Sequence, residues 1–239
     1  MSNFNLCFFR LSFQWTVLFE KLPLWTRIQR DVWTDGRAVV SLCDSSEIGF
    51  GFTVRNEKTW RGLVGRFGKS AGFATDGGLT AQTPAGIAIK LRKHCERHEQ
   101  KPDNRLFMNH VSVNIPDLET ERNWYEQVLG ERVIMARDSV WEPVAGRYVK
   151  DAHLFRSPDF YITLRENDTL PNVDHVGWMA LETATIDETA EIIKILGWDI
   201  VYGPTEIDGS YLFHFQTPDG KIHDFFCPLP TLPKAGEIN

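Results

Sequence analysis

Runs of basic residues are missing from this chain of 239 residues, whose formal net charge is −6. Without a Lys/Arg stripe nothing is available to neutralise a phosphate backbone, so nucleic acid is not an expected partner. No C-x-x-C pair occurs, and Cys7, Cys43, Cys95 and Cys227 are scattered along the chain. Such spacing argues against zinc fingers and a disulfide framework and fits a reducing cytoplasm. Also lacking is any uninterrupted apolar run near the roughly 18 residues that span a bilayer, so no membrane association is expected. The apolar stretch from Phe4 to Phe19 is broken by Arg10 and has no basic segment before it, so it reads as core rather than as a leader.

What the chain does have is a unit written twice. Asn109-His110-Val111-Ser112-Val113 opens the first copy and Asp174-His175-Val176-Gly177 the second. Each opening leads into a helix-like run ending in Leu-Gly, at Leu129-Gly130 and Leu196-Gly197, and then into strands that reach Ser157-Pro158-Asp159 or Thr217-Pro218-Asp219. In the first copy the pattern predicts a half-buried strand over Asn109 to Ile115, a helix from Pro116-Asp117 through Leu129, and strands at 132–136, 148–155 and 160–165. In the second it predicts a strand at 174–181, a helix at 185–196 and strands near 198–202, 210–216 and 221–226.

Upstream the same strand, helix and three-strand unit is expected from Ile48 to Leu91, with Trp60, Leu63, Val64 and Phe67 at helical spacing and Thr83-Pro84-Ala85-Gly86 matching the turn at Thr217. Residues 1–46 are least legible, with a helix ending near Lys21 and a strand at Ala38 to Leu42. The expected organisation is an amino-terminal domain over 1–93, a charged linker at 94–106, a second domain over 107–227 and a tail at 228–239. Trp60, Trp124 and Trp178 fall on apolar faces and are expected in the core.

Strand parity places chemistry. If Val111, Val113 and Ile115 face a helix, His110 faces the other way, and His175 does the same in its copy. Two copies related by a pseudo-twofold would bring the two imidazoles together. On the last strand Ile222, Asp224 and Phe226 share one face, which makes Asp224 the third candidate; a one-residue slip would put His223 in its place. Two imidazoles and one carboxylate with open positions suit non-heme Fe(II), with Mn(II) and Zn(II) as alternatives. Met179, Leu212 and Tyr161 are expected to line a partly apolar cleft and, with the first two as substrate contacts, to receive a small molecule. A hydrogen-bonded structural histidine is the bland alternative at either position.

These features resemble the vicinal oxygen chelate superfamily of glyoxalase I, bleomycin-resistance proteins, fosfomycin-resistance enzymes and type I extradiol ring-cleaving dioxygenases. The resemblance is carried by His110 with Pro116-Asp117-Leu118, by Trp124-Tyr125 before Leu129-Gly130, by His175, and by Asp224 four residues after Gly220. It implies an α+β fold of tandem βαβββ modules forming two glyoxalase-like domains with curved mixed sheets. It further implies a metal held by His110, His175 and Asp224, with aspartate where the family has glutamate. The two-domain arrangement is most similar to the extradiol dioxygenases, because Gly49, Lys90 and Phe4 stand in the first domain where ligands would be.

That branch implies an Fe(II)-dependent oxidoreductase of aromatic catabolism, taking a catechol-like diol and dioxygen as substrates and forming a homo-oligomer. His214 stands where those enzymes carry a tyrosine and is the candidate acid/base residue. Phe160 and Tyr161 occupy the strand that normally adds a histidine, so Tyr161 or His153 is expected to cover part of that role. The glyoxalase branch needs a further glutamate, where this chain has Thr163 and Leu164. Another metal-dependent isomerase, epimerase or lyase, or a non-catalytic small-molecule-binding protein, are the competing expectations.

Overall fold

The computed structural model describes residues 4–22, 25–35, 38–44, 48–54, 56–67, 78–93, 105–130, 133–142, 147–157, 160–167, 171–207 and 209–230. They build two mixed sheets. The first contains β1 (Phe4–Ser12), β2 (Thr26–Gln29), β3 (Val32–Thr34), β4 (Ala38–Cys43), β5 (Gly49–Val54), β6 (Leu79–Gln82) and β7 (Ala88–Lys93), in the order β2-β3-β4-β1-β5-β7-β6. The second contains β8 (Leu106–Ile115), β9 (Val133–Glu142), β10 (Arg147–Ser157), β11 (Phe160–Glu166), β12 (Asn172–Ala180), β13 (Asp199–Ile207), β14 (Ser210–Gln216) and β15 (Ile222–Pro228). Its order, β13-β14-β15-β12-β8-β11-β10-β9, is that of the first sheet read backwards, with one more strand at the end.

The expected repeat is thus present, and it reaches further back than the sequence suggested. β1, the short helix α1 (Thr16–Lys21) and β2 to β4 form a βαβββ module within the stretch that was least legible. Around α2 (Glu57–Phe67) the upstream unit has β5, β6 and β7; the turns expected between Gly68 and Gly78 lie almost wholly outside the described residues. So do residues 94–104 of the expected linker and 231–239 of the tail, while Leu106 already belongs to β8 and Pro228 closes β15.

Local chemistry sets the helix ends. Asp117 caps α3 (Leu118–Trp124) by accepting from the amides of Glu119 and Thr120. The run then widens into a π-helical turn, Tyr125–Leu129, and stops at Gly130, whose φ of 70° is the left-handed conformation expected of a Leu-Gly cap. Gly197 does the same after α4 (Thr183–Ile195), with φ 72°.

The burial of β8 departs from the half-buried strand expected. All ten residues of β8 are buried, not one face of them. β8 is central in its sheet, and the face bearing His110, Ser112 and Asn114 is closed in by the curvature of its neighbours. Of the three tryptophans expected in the core, Trp178 is fully buried, whereas Trp60 and Trp124 are only partly so and pack against the core from outside.

The sheets meet through the outward faces of their central strands. Phe160 sits between Phe9 and Phe52, with ring centroids 5.9 and 6.0 Å away. Trp15, in a 3-10 turn after β1, enters an aromatic cluster with Trp178, Trp198 and Phe215 at 5.1, 5.9 and 6.1 Å. Two carboxylates tie the backbone across: Asp35 accepts from Met108 N at 2.8 Å, and Glu121 from Ala85 N at 3.0 Å. Burial raises the pKa of Glu121.

Register makes the two sheets comparable residue by residue. Gly177 pairs with His110 on one side and with Asp224 on the other, and Gly51 pairs in the same way with Phe8 and Lys90. Lys90 and Gly49 therefore fall where expected, opposite numbers of Asp224 and His175. The counterpart of His110 is Phe8, not Phe4, because helix and strand lengths differ between the modules.

Candidate metal centre

Three strands that adjoin in the sheet bring three side chains to one point. His110 on β8, His175 on β12 and Asp224 on β15 each offer a ligand atom, and these atoms lie within 4.8 Å of one another. His110 Nε2 is 3.6 Å from Asp224 Oδ2, and the two imidazole rings stand nearly perpendicular, at 84°, with centroids 5.5 Å apart. His223, the alternative to Asp224, points to the opposite face, where it is buried among Trp15, Trp178 and Phe215.

Between His110 and Asp224 lies a residue without a side chain. A Cβ at Gly177 would come 2.0 Å from His110 Cε1 and 2.1 Å from Asp224 Oδ1, closer than any side chain tolerates. The glycine leaves a cradle beneath the His110 ring and the Asp224 carboxylate, to which His175 adds a second imidazole nitrogen within 4.8 Å. That donor set is one a divalent cation of the iron, manganese or zinc type accepts.

The rings are oriented from behind. Asn109 Oδ1 lies 3.3 Å from His110 Nδ1, and Asp174 Oδ2 lies 3.3 Å from His175 Nδ1, which leaves Nε2 of each ring for the centre. Arg165 holds Asp174 at 3.5 Å. Burial alone would raise the pKa of Asp174, but His175 and Arg165 outweigh it and hold the carboxyl at about 2. For His110, burial first and the neighbouring His175 second push the pKa well below the usual imidazole value, so its lone pair is available.

Tyr161 lies flat against His110, centroids 4.7 Å apart at 11°, and His153 lies flat against the other face of Tyr161 at 5.0 Å and 16°. Burial, then the Asp224 carboxylate, pushes the Tyr161 phenol above its ordinary pKa. Behind His153, Arg137 grips Asp151 with bonds of 2.8 and 2.5 Å and reaches His153 Nε2 at 3.1 Å. Asp151 is almost fully buried, which would raise its pKa, yet His153 and Arg137 bring it down to about 2.

On the other flank, His214 on β14 is the cross-strand partner of Asp224 and touches Tyr202 edge-on at 5.7 Å. Burial, then the charges of His175 and Arg165, lowers its pKa to about 3. Leu212 pairs with Phe226, whose ring is 5.7 Å from His110; Met179 is two positions beyond Gly177, its sulfur 3.9 Å from Asn109 Nδ2. His214, Tyr161, Met179 and Leu212 thus share the face of the candidate ligands. Gly177, Asp174 with Arg165, Arg137 with Asp151, and Tyr202 were not foreseen. Only Gly177 left a readable signal, two positions from His175 and so on the same face.

Two mixed sheets built from repeated modules, three of them complete βαβββ units among the described residues, with one sheet bearing a His-His-Asp cluster whose histidines are buried, define a protein of the glyoxalase-like fold. Residues 107–222 match the Glyoxalase/Bleomycin resistance protein/Dioxygenase superfamily. No curated protein matches the chain in sequence. Among solved structures, the 2,3-dioxygenase LapB from Pseudomonas sp. KL28 is similar at a TM-score of 0.67 and 15% identity, covering 97% of this chain and 95% of that one. The Mn(II)-bound glyoxalase from Novosphingobium aromaticivorans has a TM-score of 0.67 at 15% identity, over 95% and 82%. Homoprotocatechuate 2,3-dioxygenase from Brevibacterium fuscum has 0.63 at 13%, over 94% and 80%. At such identities the likeness establishes the shared fold. No described helix is long and apolar enough to cross a membrane.

Proposed function

We propose that the protein is a metal-dependent, extradiol-type ring-cleaving dioxygenase acting on a catechol-like aromatic, with His110, His175 and Asp224 holding Fe(II). The observation that carries this is the convergence of those three groups on one buried point. It is supported by the dioxygenases among the proteins of like fold, which match over both sheets.

Bound Fe(II) would supply an open-sided Lewis acid able to take up the diol and dioxygen together. The chain's own residues do the rest. Leu212, Met179 and Phe226 give the cleft apolar walls that receive an aromatic ring and keep water away. His214, held neutral, has a lone pair to accept the proton of a diol hydroxyl. Tyr161, held protonated, keeps its hydroxyl proton for an oxygen that gathers negative charge beside Asp224.

The histidine that the dioxygenase branch adds on β11 is replaced by Tyr161, and this favours a second reading: a metal-dependent isomerase, epimerase or lyase that stabilises an enediolate. Oxygen uptake by Fe(II)-loaded protein across a panel of diols decides. Uptake coupled to a yellow ring-opened product supports the dioxygenase. Proton exchange at a substrate carbon without uptake selects the second reading, and neither, with no metal bound after loading with iron, manganese and zinc, would leave a small-molecule-binding protein.

A further inference from the structure

The hydrogen-bond ladder between β12 and β15 begins at Gly177 opposite Asp224 and continues through Trp178 and Met179. One step earlier a side chain does the ladder's work: His223 Nδ1 accepts from Val176 N at 3.2 Å. This bond joins the residue before Asp224 to the residue after His175. It therefore spans the gap between two candidate ligands, on the opposite face of the sheet from them.

The imidazole is held in place by aromatic rings from both halves of the chain, Trp15 from the amino-terminal unit and Phe215 and Trp178 from its own sheet. Trp15 meets it edge-on with centroids 4.8 Å apart, while Phe215 and Trp178 stand at 5.6 and 6.3 Å. Trp15 is 2% exposed and His223 1%, so neither has water as a substitute partner. A buried ring whose one nitrogen accepts from a backbone amide has a fixed tautomer and a fixed position.

We propose that His223, seated by Trp15, is a positioning residue that sets the spacing between His175 and Asp224, so that the amino-terminal unit shapes a metal centre to which it gives no ligand. This rests on the assignment of His110, His175 and Asp224 as ligands. It predicts that the bond from Val176, and not the volume of the ring, is what the centre requires. Asparagine at 223 can place Oδ1 where Nδ1 was; phenylalanine fills the space and accepts nothing.

The test is titration of the full chain with Mn(II) alone, read by the free-ion electron paramagnetic resonance signal, with near-ultraviolet circular dichroism as the check on packing. His223→Phe is expected to weaken Mn(II) binding about 10-fold or more, as loss of an outer partner of a ligand does. His223→Asn should stay near wild type, and Trp15→Phe should fall between. Wild-type affinity in a folded His223→Phe variant, or equal weakening by Asn and Phe, overturns the positioning role. Should the Phe variant not fold, amide exchange in the wild-type chain decides, since rapid exchange of the Val176 amide overturns it equally. An Asp224→Ala arm separates the two layers: if it binds Mn(II) as wild type does, the ligand assignment itself falls.

Discussion

Replacing Gly177 by alanine puts a methyl group in place of a hydrogen at the centre of the site. The new Cβ would stand 2.0 Å from His110 Cε1, 2.5 Å from His110 Nε2 and 2.1 Å from Asp224 Oδ1. Ordinary contacts need more than an ångström beyond this, so the ring and the carboxylate must move apart by about twice the roughly 0.5 Å that a preorganised site tolerates. The fold has no reason to object. Gly177 is in extended backbone that any residue adopts, and a strand glycine costs about 0.5–1 kcal/mol relative to alanine. The expected outcome is a thermal midpoint close to wild type together with a loss of Mn(II) affinity of at least about 100-fold, beyond the range seen for outer partners of a ligand. Equilibrium dialysis with elemental analysis measures the second and calorimetry the first. A Gly177→Ala protein that binds the ion as tightly as wild type would refute the cradle, and one that fails to fold would show that the clash falls on the sheet instead.

Other consequences are open to measurement. Tyr161→Phe keeps the ring against His110 but removes the hydroxyl, so metal content should be unchanged while turnover drops about 10²- to 10⁴-fold, the usual worth of a positioned proton donor; unchanged turnover would remove Tyr161 from the chemistry. The Asp151 carboxyl, at about 2 when folded against 3.8 normally, stabilises the fold above pH 4 and loses that contribution as pH falls from about 4 to 2. The depression corresponds to roughly 2 kcal/mol, so the acid-unfolding slope in that window should flatten in Asp151→Asn. Phe160→Ala opens the junction between the sheets and should cost about 3–5 kcal/mol in urea melts; a loss well below that would mean the two sheets hold together through other contacts.

The three candidate ligands could be read because two rules coincide: the repeat puts both histidines at equivalent positions, and strand parity points them to one face. Asp174 escaped reading because neighbouring strand residues normally face opposite ways. A register shift between Val173 and His175 lets its carboxylate reach the His175 ring. β9 was expected to stop at Ala136, before two charged residues, but runs to Glu142 because Arg137 turns inward onto Asp151. β13 was expected to end near residue 202; it continues to Ile207 through shifts of register on both sides of Tyr202. The first module was hardest because its elements are short: α1 has six residues and β3 three, too few for a period to show.

The amino-terminal sheet keeps the glycine of the cradle without the groups around it. Gly51 lies between Phe8 and Lys90 as Gly177 lies between His110 and Asp224. Its scaffold is thus a blank form awaiting three entries, and Phe8→His, Gly49→His and Lys90→Asp together would write onto it the same donor alphabet found on the other half. If His110, His175 and Asp224 hold a cation, a chain so altered would be expected to take up one more than the wild type, which would turn the doubled fold into a designable pair of centres.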